Sequence, residues 1–410
     1  MRPFIRYELR VLILNTSESS GGAAIAARRL CDALNHYGVR AGMVVRRRWS
    51  VAFLWERLRI WWANRFRREG LWAVDIACAG RHVTKMPAFR EADVIHLHWV
   101  NQGMLSLKEL GRILRSGKPV VWTMHDMWPC TAVCHHAREC DRFQIHCHDC
   151  PQLVVSAAHD LSWQVFRQKM NAYAQGRITF VGCSRWIAER ARTSRLLTGM
   201  EVLSIPNTYP AALFQPADSR SARLRLQLPE QGRLLLFACQ KVTNPRKGLP
   251  LLLEALRRPC LRPWQGQLSL VVVGQMSEEV AAQVPFPVHA LGYVSGEAEM
   301  AALYQAVDLF VTPSLEENLP NTIMEAMACG TPCVGFDIGG VSEMIDHQVN
   351  GYVARYADAD DLAEGIAYTL DDAHHPRLSA AATRKARSAW NEESVAQRYI
   401  ELYERLLSYD

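Results

Sequence analysis

The segment Thr312–Ile345 reads TPSLEENLPNTIMEAMACGTPCVGFDIGGVSEMI, and it decides how the rest of the 410-residue chain is interpreted. It follows Val307–Val311, an apolar run that is typical of a buried strand. A second apolar run, Pro332–Phe336, leads into the glycine pair Gly339–Gly340. The segment therefore predicts two strands joined by a helix, with two turns at the same edge of a sheet.

The residues between these strands predict a short apolar helix. Asn318 is a suitable cap, and Pro320 fits the first helical turn because its missing N–H would be unpaired there. The helix is expected to run through Met327 and to stop at Gly330.

Two glutamates stand near the start of this helix, Glu317 before it and Glu325 on it, with seven residues between them. A carboxylate on the helix can accept two hydroxyl groups of a ribose, and free N–H groups at a helix start suit a phosphate. Glutamates are also common as solvated residues at helix starts, where the helix dipole favours them. The spacing alone leaves both interpretations open.

The same segment resembles the donor-site signature of retaining glycosyltransferases of family 4, which have the GT-B fold. The residues in register with that signature are Glu317, Glu325, Ala326, Met327, Gly330, Pro332, Gly339, Gly340 and Glu343. Asn318–Leu319–Pro320 replaces the Gly-aromatic-Gly run that usually follows the first glutamate. The resemblance implies that Glu325 holds the ribose, that Glu317 orients the sugar, and that the helix start near Asn318 and Leu319 stabilises the diphosphate.

The length suits two domains of about 200 residues each. The segment Ile205–Pro216 contains three prolines and resembles the interdomain hinge of that family. We therefore expect an α/β protein of the GT-B class, with two Rossmann-like, doubly wound domains that face each other across a cleft. The predicted parts are an acceptor-side domain over 1–207, a nucleotide-sugar-binding domain over 208–390, and a helix over 391–410 that crosses back to the first domain.

The composition is that of a globular protein, with 49% hydrophobic and 21% charged residues. No apolar run approaches the roughly 20 residues of a membrane span, and the first ten residues contain no apolar segment of signal-peptide length. These features predict a cytoplasmic protein. The net charge of +6 fits a polyanion or an anionic membrane surface as a partner.

A glycine turn follows the first predicted strand. Arg10–Thr16 reads as that strand, and Gly21 and Gly22 precede a helix expected over Ala23–Leu34. Doubly wound folds approach phosphates and sugars with such turns, although a glycine pair before a helix is common. The resemblance implies that Gly21 and Gly22 approach the donor. The lack of a GxGxxG sequence argues against a dinucleotide-dependent dehydrogenase.

The segment Arg46–Trp72 interleaves arginines with tryptophan and phenylalanine and contains few acids. One apolar helical face is predicted here, formed by Leu54, Leu58, Trp61 and Phe66. This composition suits a helix lying on an anionic bilayer or a platform for a lipid-linked acceptor. A helix packed on its own domain and a dimer contact remain alternatives. Nucleic acid is not expected as a partner, because no nucleic-acid-binding motif accompanies the segment.

Two more strands are predicted over Ala92–Val100 and Lys118–Asp126. Ligands of open α/β sheets bind beyond the carboxyl ends of such strands, and the polar side chains placed there are His96, His98, His125 and Asp126. A single histidine is more often structural. The resemblance implies that His125 contacts the donor sugar or the acceptor, and His98 is a second candidate.

Five of the twelve cysteines fall between residues 130 and 150. The spacing of four of them suits a structural, non-catalytic zinc site in a reducing cytoplasm, with Cys134, Cys140, Cys147 and Cys150 as ligands. Disulfides and free thiols are the alternatives. The segment around these cysteines resembles a subgroup of family 4 enzymes from exopolysaccharide and capsule clusters, which includes colanic-acid-type enzymes; that resemblance does not itself imply the zinc.

A basic turn follows the strand predicted over Arg233–Cys239. It contains Lys241, Arg246 and Lys247, which could equally form a solvated loop. The resemblance implies that these residues hold the donor diphosphate, with lysine at the first position where the family has arginine. It also implies that the strand and loop ending at Val294 hold the nucleotide base.

The expected reaction is transfer of a glycosyl unit from a GDP- or UDP-linked sugar to a hydroxyl group, with retention. The acceptor is expected to be a glycan, lipid-linked in bacterial exopolysaccharide or lipopolysaccharide biosynthesis, and the enzyme to work peripherally on the inner face of the cytoplasmic membrane. No Asp-x-Asp motif is evident, so Lys241 and Lys247 are expected to replace a catalytic metal, and no catalytic cofactor is predicted. A nucleotide-sugar epimerase of the same fold and a non-catalytic, membrane-associated sugar-nucleotide-binding scaffold are the alternatives.

Overall fold

The computed structural model describes residues 8–46, 50–241 and 244–408, except for the side chains of residues 240 and 241. The chain divides into two compact units. The first consists of Met1–Asn207 together with Glu393–Asp410, and the second consists of Thr208–Glu392. Each unit is built on a six-stranded parallel sheet, which confirms the predicted α/β class with two Rossmann-like domains.

The sheet of the first unit has the strand order β2-β1-β3-β4-β5-β6. Its strands are β1 (Arg10–Asn15), β2 (Arg40–Val45), β3 (Val94–Leu97), β4 (Val120–Met124), β5 (Thr179–Gly182) and β6 (Glu201–Ser204). The central strands are mostly apolar because helices cover both faces of a parallel sheet. Every residue of β3 and β4 is buried.

Six helices connect these strands: α1 (Gly22–His36), α2 (Val51–Ala63), α3 (Pro87–Glu91), α4 (Leu107–Arg115), α5 (Leu161–Tyr173) and α6 (Arg185–Arg192). Four of them begin at a residue whose side chain accepts a hydrogen bond from the first turn, as helix caps do. These caps are Ser50, Ser106, Asp160 and Ser184.

The sheet of the second unit has the order β12-β11-β10-β7-β8-β9. Its strands are β7 (Arg233–Lys241), β8 (Leu268–Gln275), β9 (Val288–Gly292), β10 (Leu309–Thr312), β11 (Cys333–Phe336) and β12 (Gly351–Ala354). The helices of this unit are α7 (Ser219–Arg225), α8 (Leu249–Ala255), α9 (Glu278–Ala281), α10 (Glu297–Ala306), α11 (Asn321–Ala328), α12 (Val341–Met344), α13 (Ala359–Leu370) and α14 (His375–Ala389).

Helix α11 is the short apolar helix predicted between two strands, but the predicted cap is wrong. The cap position is Pro320, which makes no side-chain cap hydrogen bond. Asn318 lies two residues before this cap position. Its carbonyl oxygen accepts a hydrogen bond of 2.8 Å from the N–H of Gly340. The predicted stop is confirmed: Gly330 has φ 87°, and the N–H of the next residue, Thr331, donates back to Ala326.

The helix α15 (Glu392–Leu407) packs on the first unit, although the chain before it belongs to the second. Val395, Tyr399, Leu402 and Tyr403 join the core beneath β1 and α1. The hydroxyl of Tyr403 lies 2.7 Å from Nδ1 of His96, and that of Tyr399 lies 2.8 Å from Oγ1 of Thr123. Residues more than 270 positions apart therefore complete one core.

The apolar face predicted for α2 is partly wrong. Leu54 and Leu58 do lie together on the surface. However, Trp61 is half-buried, and its ring packs edge-on against Phe66, which lies beyond the end of the helix. Among the described residues, no helix is both long enough and apolar enough to cross a membrane.

In each sheet the strand order reverses at one point, between β1 and β3 in the first unit and between β7 and β10 in the second. The two connections that leave such a point run to opposite faces of the sheet. Ligands of open α/β sheets bind in the crevice formed there, beyond the carboxyl ends of the strands. Predicted site residues follow the flanking strands in both units: Gly21 and His98 come after β1 and β3, and Lys247 and Glu317 come after β7 and β10.

Candidate functional site

Three loops of the second unit meet beyond the carboxyl ends of β7, β10 and β11. The N–H of Leu315, after β10, donates to the carbonyl oxygen of Arg246, after β7, at 2.8 Å. The N–H of Gly340, after β11, donates to the carbonyl oxygen of Asn318 at 2.8 Å. The loop between β10 and α11 is thereby held by backbone hydrogen bonds on both sides.

Two glycines allow this close approach. Gly248 has φ 67°, and a Cβ atom at this position would lie 1.7 Å from the carbonyl oxygen of Pro313. Gly339 has φ 59°, and a Cβ atom there would lie 1.8 Å from the carbonyl oxygen of Glu317. Both positions need a left-handed backbone and have no room for a side chain, so only glycine fits them.

Charged residues of the loops after β7 and β10 pair with each other. Nζ of Lys247 forms an ion pair with Oε1 of Glu317, and both side chains are partly exposed. Arg246 lies next to this pair, with Nη1 3.7 Å from Oε2 of Glu316. The structure thus brings together Lys247 and Glu317, which the sequence separates by 70 residues. The side chain of Lys241, the other predicted cation, lies outside the described residues.

The predicted ribose ligand, Glu325, lies on α11 and is only 6% exposed. Its Oε2 accepts a hydrogen bond of 3.2 Å from the hydroxyl of Tyr304 on α10. Burial, with Glu325 as the next cause, holds the pKa of Tyr304 well above its ordinary value, so this hydroxyl stays a donor. The sequence interpretation missed Tyr304, which nothing in its helical context distinguishes from a core residue.

The remaining donor-site residues predicted in the second unit differ in exposure. Asn318 and Leu319 are buried at the start of α11, and Arg246 is exposed. Val294 is half-buried and follows β9, the edge strand two places from β7. Strands lie about 4.8 Å apart, so β9 is about 10 Å from β7.

In the first unit, the turn after β1 leaves open space. Gly21 has φ 91° and precedes α1, which begins at Gly22. No atom lies within 4 Å of where a Cβ of Gly21 would be. The turn therefore has open space beside Gly21, and the role of Gly21 and Gly22 at the donor stays a prediction.

Three histidines were predicted at the carboxyl edge of the first sheet. One of them, His96, is structural, and the other two, His98 and His125, form a pair. His96 is inside β3, where its two ring nitrogens contact Tyr403 and Thr123, so it is a core residue and not an edge ligand. Nδ1 of His98 lies 2.9 Å from Nε2 of His125. Burial lowers the pKa of His125 to about 4 and that of His98 well below 6.5, so both rings are neutral at pH 7.

A chain of buried charges begins next to His125. Oδ2 of Asp126 lies 2.7 Å from Nδ1 of His135, and Nε2 of the same ring lies 2.7 Å from Oδ2 of Asp75. Asp75 in turn forms an ion pair with Arg57 on α2.

Burial alone would lower the pKa of His135, but the two carboxylates raise it to about 10. Burial alone would raise the pKa of Asp126, but His135 lowers it to about 2. The imidazolium between the two carboxylates therefore holds the loop after β4 in place. Sequence reasoning missed this network, because the spacing of His135 and Asp75 carries no signal.

The four predicted zinc ligands, Cys134, Cys140, Cys147 and Cys150, line one small cavity of about 20 Å³. This volume admits one water-sized occupant. All twelve cysteines are free thiols, so the disulfide alternative is not observed. Burial raises the pKa of Cys134 to about 12. No group of three or more ligating side chains in the described parts of the chain is arranged to hold a metal ion, so the zinc site stays a prediction.

Residues 232–372 of this chain match the family model described as glycosyl transferases group 1. This range covers β7 to α13, which contain the paired Lys247 and Glu317. The matched range lies within the second unit.

Several curated proteins with similar sequences are named glycosyltransferases. The D-inositol 3-phosphate glycosyltransferase of Thermobispora bispora is 32% identical over 213 residues, which are 48% of each chain. The lipopolysaccharide 1,2-N-acetylglucosaminetransferase of Salmonella typhimurium is 28% identical over 50% of this chain and 57% of its own length. An N,N'-diacetylbacillosaminyl-diphospho-undecaprenol alpha-1,3-N-acetylgalactosaminyltransferase of Campylobacter jejuni is 36% identical over 29% of this chain and 31% of its own. The chain thus spans about half the length of the first two relatives and less of the third.

Solved structures resemble the fold over nearly the whole chain. Sucrose-phosphate synthase from Thermosynechococcus elongatus has a TM-score of 0.67 at 18% identity and covers 98% of this chain and 100% of its own. The Anabaena protein HepE, solved with UDP and glucose, has a TM-score of 0.62 at 16% identity and covers 97% and 100%. These structures and the two six-stranded sheets confirm the GT-B fold class.

Proposed function

We propose that this chain is a retaining glycosyltransferase that moves a sugar from a nucleoside-diphosphate sugar to a hydroxyl group of a lipid-linked saccharide. The observation that carries the proposal is the cluster of Lys247, Arg246 and Glu317 beyond the carboxyl ends of the neighbouring strands β7 and β10. It lies inside the segment that matches group 1 glycosyl transferases.

The cluster has the chemistry that a departing nucleoside diphosphate requires. Negative charge grows on the diphosphate as the bond to the sugar breaks, and preorganised positive groups stabilise that charge. Lys247 supplies a cation, and the first N–H groups of α11 supply a positive helix end. Before the donor binds, Glu317 neutralises Lys247. The diphosphate then competes with this carboxylate, which becomes available to a sugar hydroxyl.

Three further residues complete the assignment. Glu325, oriented by the hydroxyl of Tyr304, accepts the hydroxyl groups of the ribose. Lys241 adds a second cation for the diphosphate. In the first unit, His125 contacts the transferred sugar or the acceptor, and its neutral imidazole can donate or accept a hydrogen bond there.

The names of similar proteins support a saccharide acceptor of the bacterial envelope. One acts on an undecaprenol-linked saccharide and another on lipopolysaccharide, by their names. We place this chain in surface polysaccharide biosynthesis, in the exopolysaccharide and capsule group, with its work done peripherally on the inner face of the cytoplasmic membrane. Neighbours of the same fold hold UDP or UDP-glucose, which makes UDP the first nucleotide to test beside GDP.

The first experiment measures the binding of UDP and GDP to the purified chain by calorimetry. Lys247→Ala should weaken binding of the preferred nucleotide about tenfold or more, because a hydrogen bond between charged groups is lost. Lys385→Ala is the matched control, since Lys385 also pairs with a carboxylate, Asp346, at 2.6 Å, but on α14. Equal affinities of the two variants would refute the assigned diphosphate site.

Product analysis then tests the reaction itself. Incubation with the matching nucleotide sugar and a lipid-linked saccharide should give a glycosylated acceptor whose new linkage keeps the anomeric configuration of the donor, as NMR can determine. An isomerised donor would indicate an epimerase. Binding without any product would indicate a scaffold.

A further inference from the structure

Helix α2 carries large apolar side chains on its outer face. Five of them are between 48% and 82% exposed and follow the spacing of one helical stripe: Val51, Leu54, Trp55, Leu58 and Trp62. Two aromatic residues beyond the helix, Phe66 and Trp72, are also exposed by more than half. A contiguous exposed set of this kind marks an interaction surface.

The inner face of α2 buries two charged side chains, Glu56 and Arg57, beside the apolar Ile60, whereas an ordinary surface helix buries an apolar stripe. Oε1 of Glu56 accepts the backbone N–H groups of Ile76 and Ala77 at 2.7 and 2.8 Å. The guanidinium of Arg57 donates to the carbonyl oxygen of Leu71 at 2.7 Å and pairs with Asp75. Turning the helix over would take Glu56 away from the buried N–H groups of Ile76 and Ala77 and Arg57 away from the buried Asp75, at a large cost. The apolar stripe is therefore held on the outside.

The turn after α2 adds positive charge beside the stripe. Arg65, Arg67 and Arg68 are exposed, and Glu69 is the one exposed acid within residues 51–72, all of which the structure describes. Exposed tryptophans combined with arginines match the interface of an anionic bilayer, where the rings enter the headgroup region and the guanidinium groups meet phosphates.

We propose that residues 51–72 dock this protein on an anionic phospholipid bilayer, with the α2 stripe inserted at the level of the lipid headgroups. The stripe is apolar enough to enter the upper 5–10 Å of a leaflet, roughly the depth reached by interfacial helices. The positive charge of the arginines makes anionic lipid the expected binding partner of this surface. The inference rests on the proposed function for its biological reason, because a lipid-linked acceptor is available only at a membrane.

The docking surface is rigidly connected to the candidate site of the first unit. Arg57 pairs with Asp75, and His135 joins Asp75 to Asp126 through two contacts of 2.7 Å. Asp126 directly follows His125 in the sequence. A bilayer bound to α2 therefore lies at a fixed position relative to His125.

The test is co-sedimentation of the full chain with vesicles of mixed phosphatidylglycerol and phosphatidylcholine, compared with vesicles of phosphatidylcholine alone. The chain should bind the anionic vesicles. Raising the salt from about 0.1 M to about 1 M shortens the Debye length from about 10 Å to about 3 Å and should weaken binding. Replacing Arg65, Arg67 and Arg68 by glutamine should weaken it about a hundredfold, at about fivefold for each arginine.

A second variant tests the stripe, with Leu54, Trp55, Leu58 and Trp62 replaced by serine. It should lose binding to the anionic vesicles. Its matched control replaces Ile145 and Leu224, exposed apolar residues elsewhere, by serine. The arginine control replaces the exposed Arg225, Arg257 and Arg262 by glutamine. Both controls should sediment with the vesicles like the wild type.

Each variant should fold, because the replaced side chains are exposed. Circular dichroism and nucleotide binding of each variant check this. They also separate the two proposals: a chain that binds UDP or GDP but no vesicles retains the donor site and refutes only the docking surface. Equal vesicle binding by the wild type and the stripe variant would overturn the proposal. A dimer that the stripe variant abolishes, in ultracentrifugation without lipid, would assign the surface to a second copy and overturn it too.

Discussion

Nδ1 of His98 and Nε2 of His125 lie 2.9 Å apart, so one imidazole donates its proton to the other. The arrangement needs at least one unprotonated ring, because two imidazolium groups have no lone pair to share. Burial favours the same state by lowering the pKa of both residues. The pair therefore presents a neutral, hydrogen-bonded surface at the carboxyl edge of the first sheet.

The stability of the protein should depend on this pair under acid conditions. Because the pKa of His125 is lowered to about 4 in the folded state, the unfolded chain takes up a proton first as the pH falls. The stability contributed is present above about pH 6.5 and is lost between about pH 6.5 and 4. His125→Asn should reduce the slope of the thermal midpoint against pH in this range. The exposed His347→Asn should leave the slope unchanged, and equal slopes in all three proteins would contradict the expectation.

Gly248→Ala should damage the donor site more than its backbone angle alone explains. Gly266 has a similar φ, 78° against 67°, but no atom within 4 Å of an added Cβ, whereas Gly248 faces the carbonyl oxygen of Pro313. Gly266→Ala should cost about 1 kcal/mol of unfolding free energy for the left-handed backbone. Gly248→Ala should cost at least about 2 kcal/mol more, because the loops must separate. Chemical denaturation measures both, and equal losses would refute the close packing of these loops.

Glu317→Gln should separate donor binding from transfer. The variant removes the carboxylate that neutralises Lys247, so the affinity for UDP or GDP should stay the same or rise. The maximal transfer rate should fall at least about tenfold if Glu317 orients the sugar in the transition state. Glu316→Gln, next to it in the sequence, is the control and should change the rate less than about twofold. A similar loss of rate in both variants would argue against a specific role for Glu317.

The cysteine cavity should bind zinc in protein purified under reducing conditions. Four thiols lining a cavity for one small occupant provide the ligand set of a structural zinc site, and closing the site requires the side chains to move inward. Elemental analysis should find about one zinc per chain, and a Cys134→Ser, Cys150→Ser variant should lose it together with thermal stability. The exposed Cys260→Ser should retain the metal. Metal-free wild-type protein of full stability would show that the cluster is a set of buried thiols.

The elements that the sequence predicted correctly are those encoded by local patterns. Buried apolar runs marked the parallel strands, and Gly330 marked the end of α11, because its left-handed backbone excludes most other residues. The start of α11 was predicted wrongly at Asn318 because a contact with Gly340, more than twenty residues away, decides where that chain turns. Local preference cannot show such a contact.

The candidate site shows the same division. The resemblance pointed to Lys247 and Glu317 separately, but their ion pair depends on two loops that glycines allow to meet. The orientation of α2 was predicted only in part, since its inner face is decided by partners such as Asp75 that lie outside the helix. His135 looked like one of several histidines in a cysteine-rich loop, and only the fold places it between two carboxylates.

The position of α15 has a consequence for biosynthesis. The core of the first unit includes Tyr399 and Tyr403, whose hydroxyl groups contact Thr123 and His96. A ribosome that adds about 5–20 residues per second completes the second unit before these tyrosines emerge. The first unit to be synthesised is therefore the last to reach its final packing, and until then β3 and β4 lack part of their cover. Truncation before residue 392 should leave nascent chains that chaperones retain, even though nearly all of the second unit has been made.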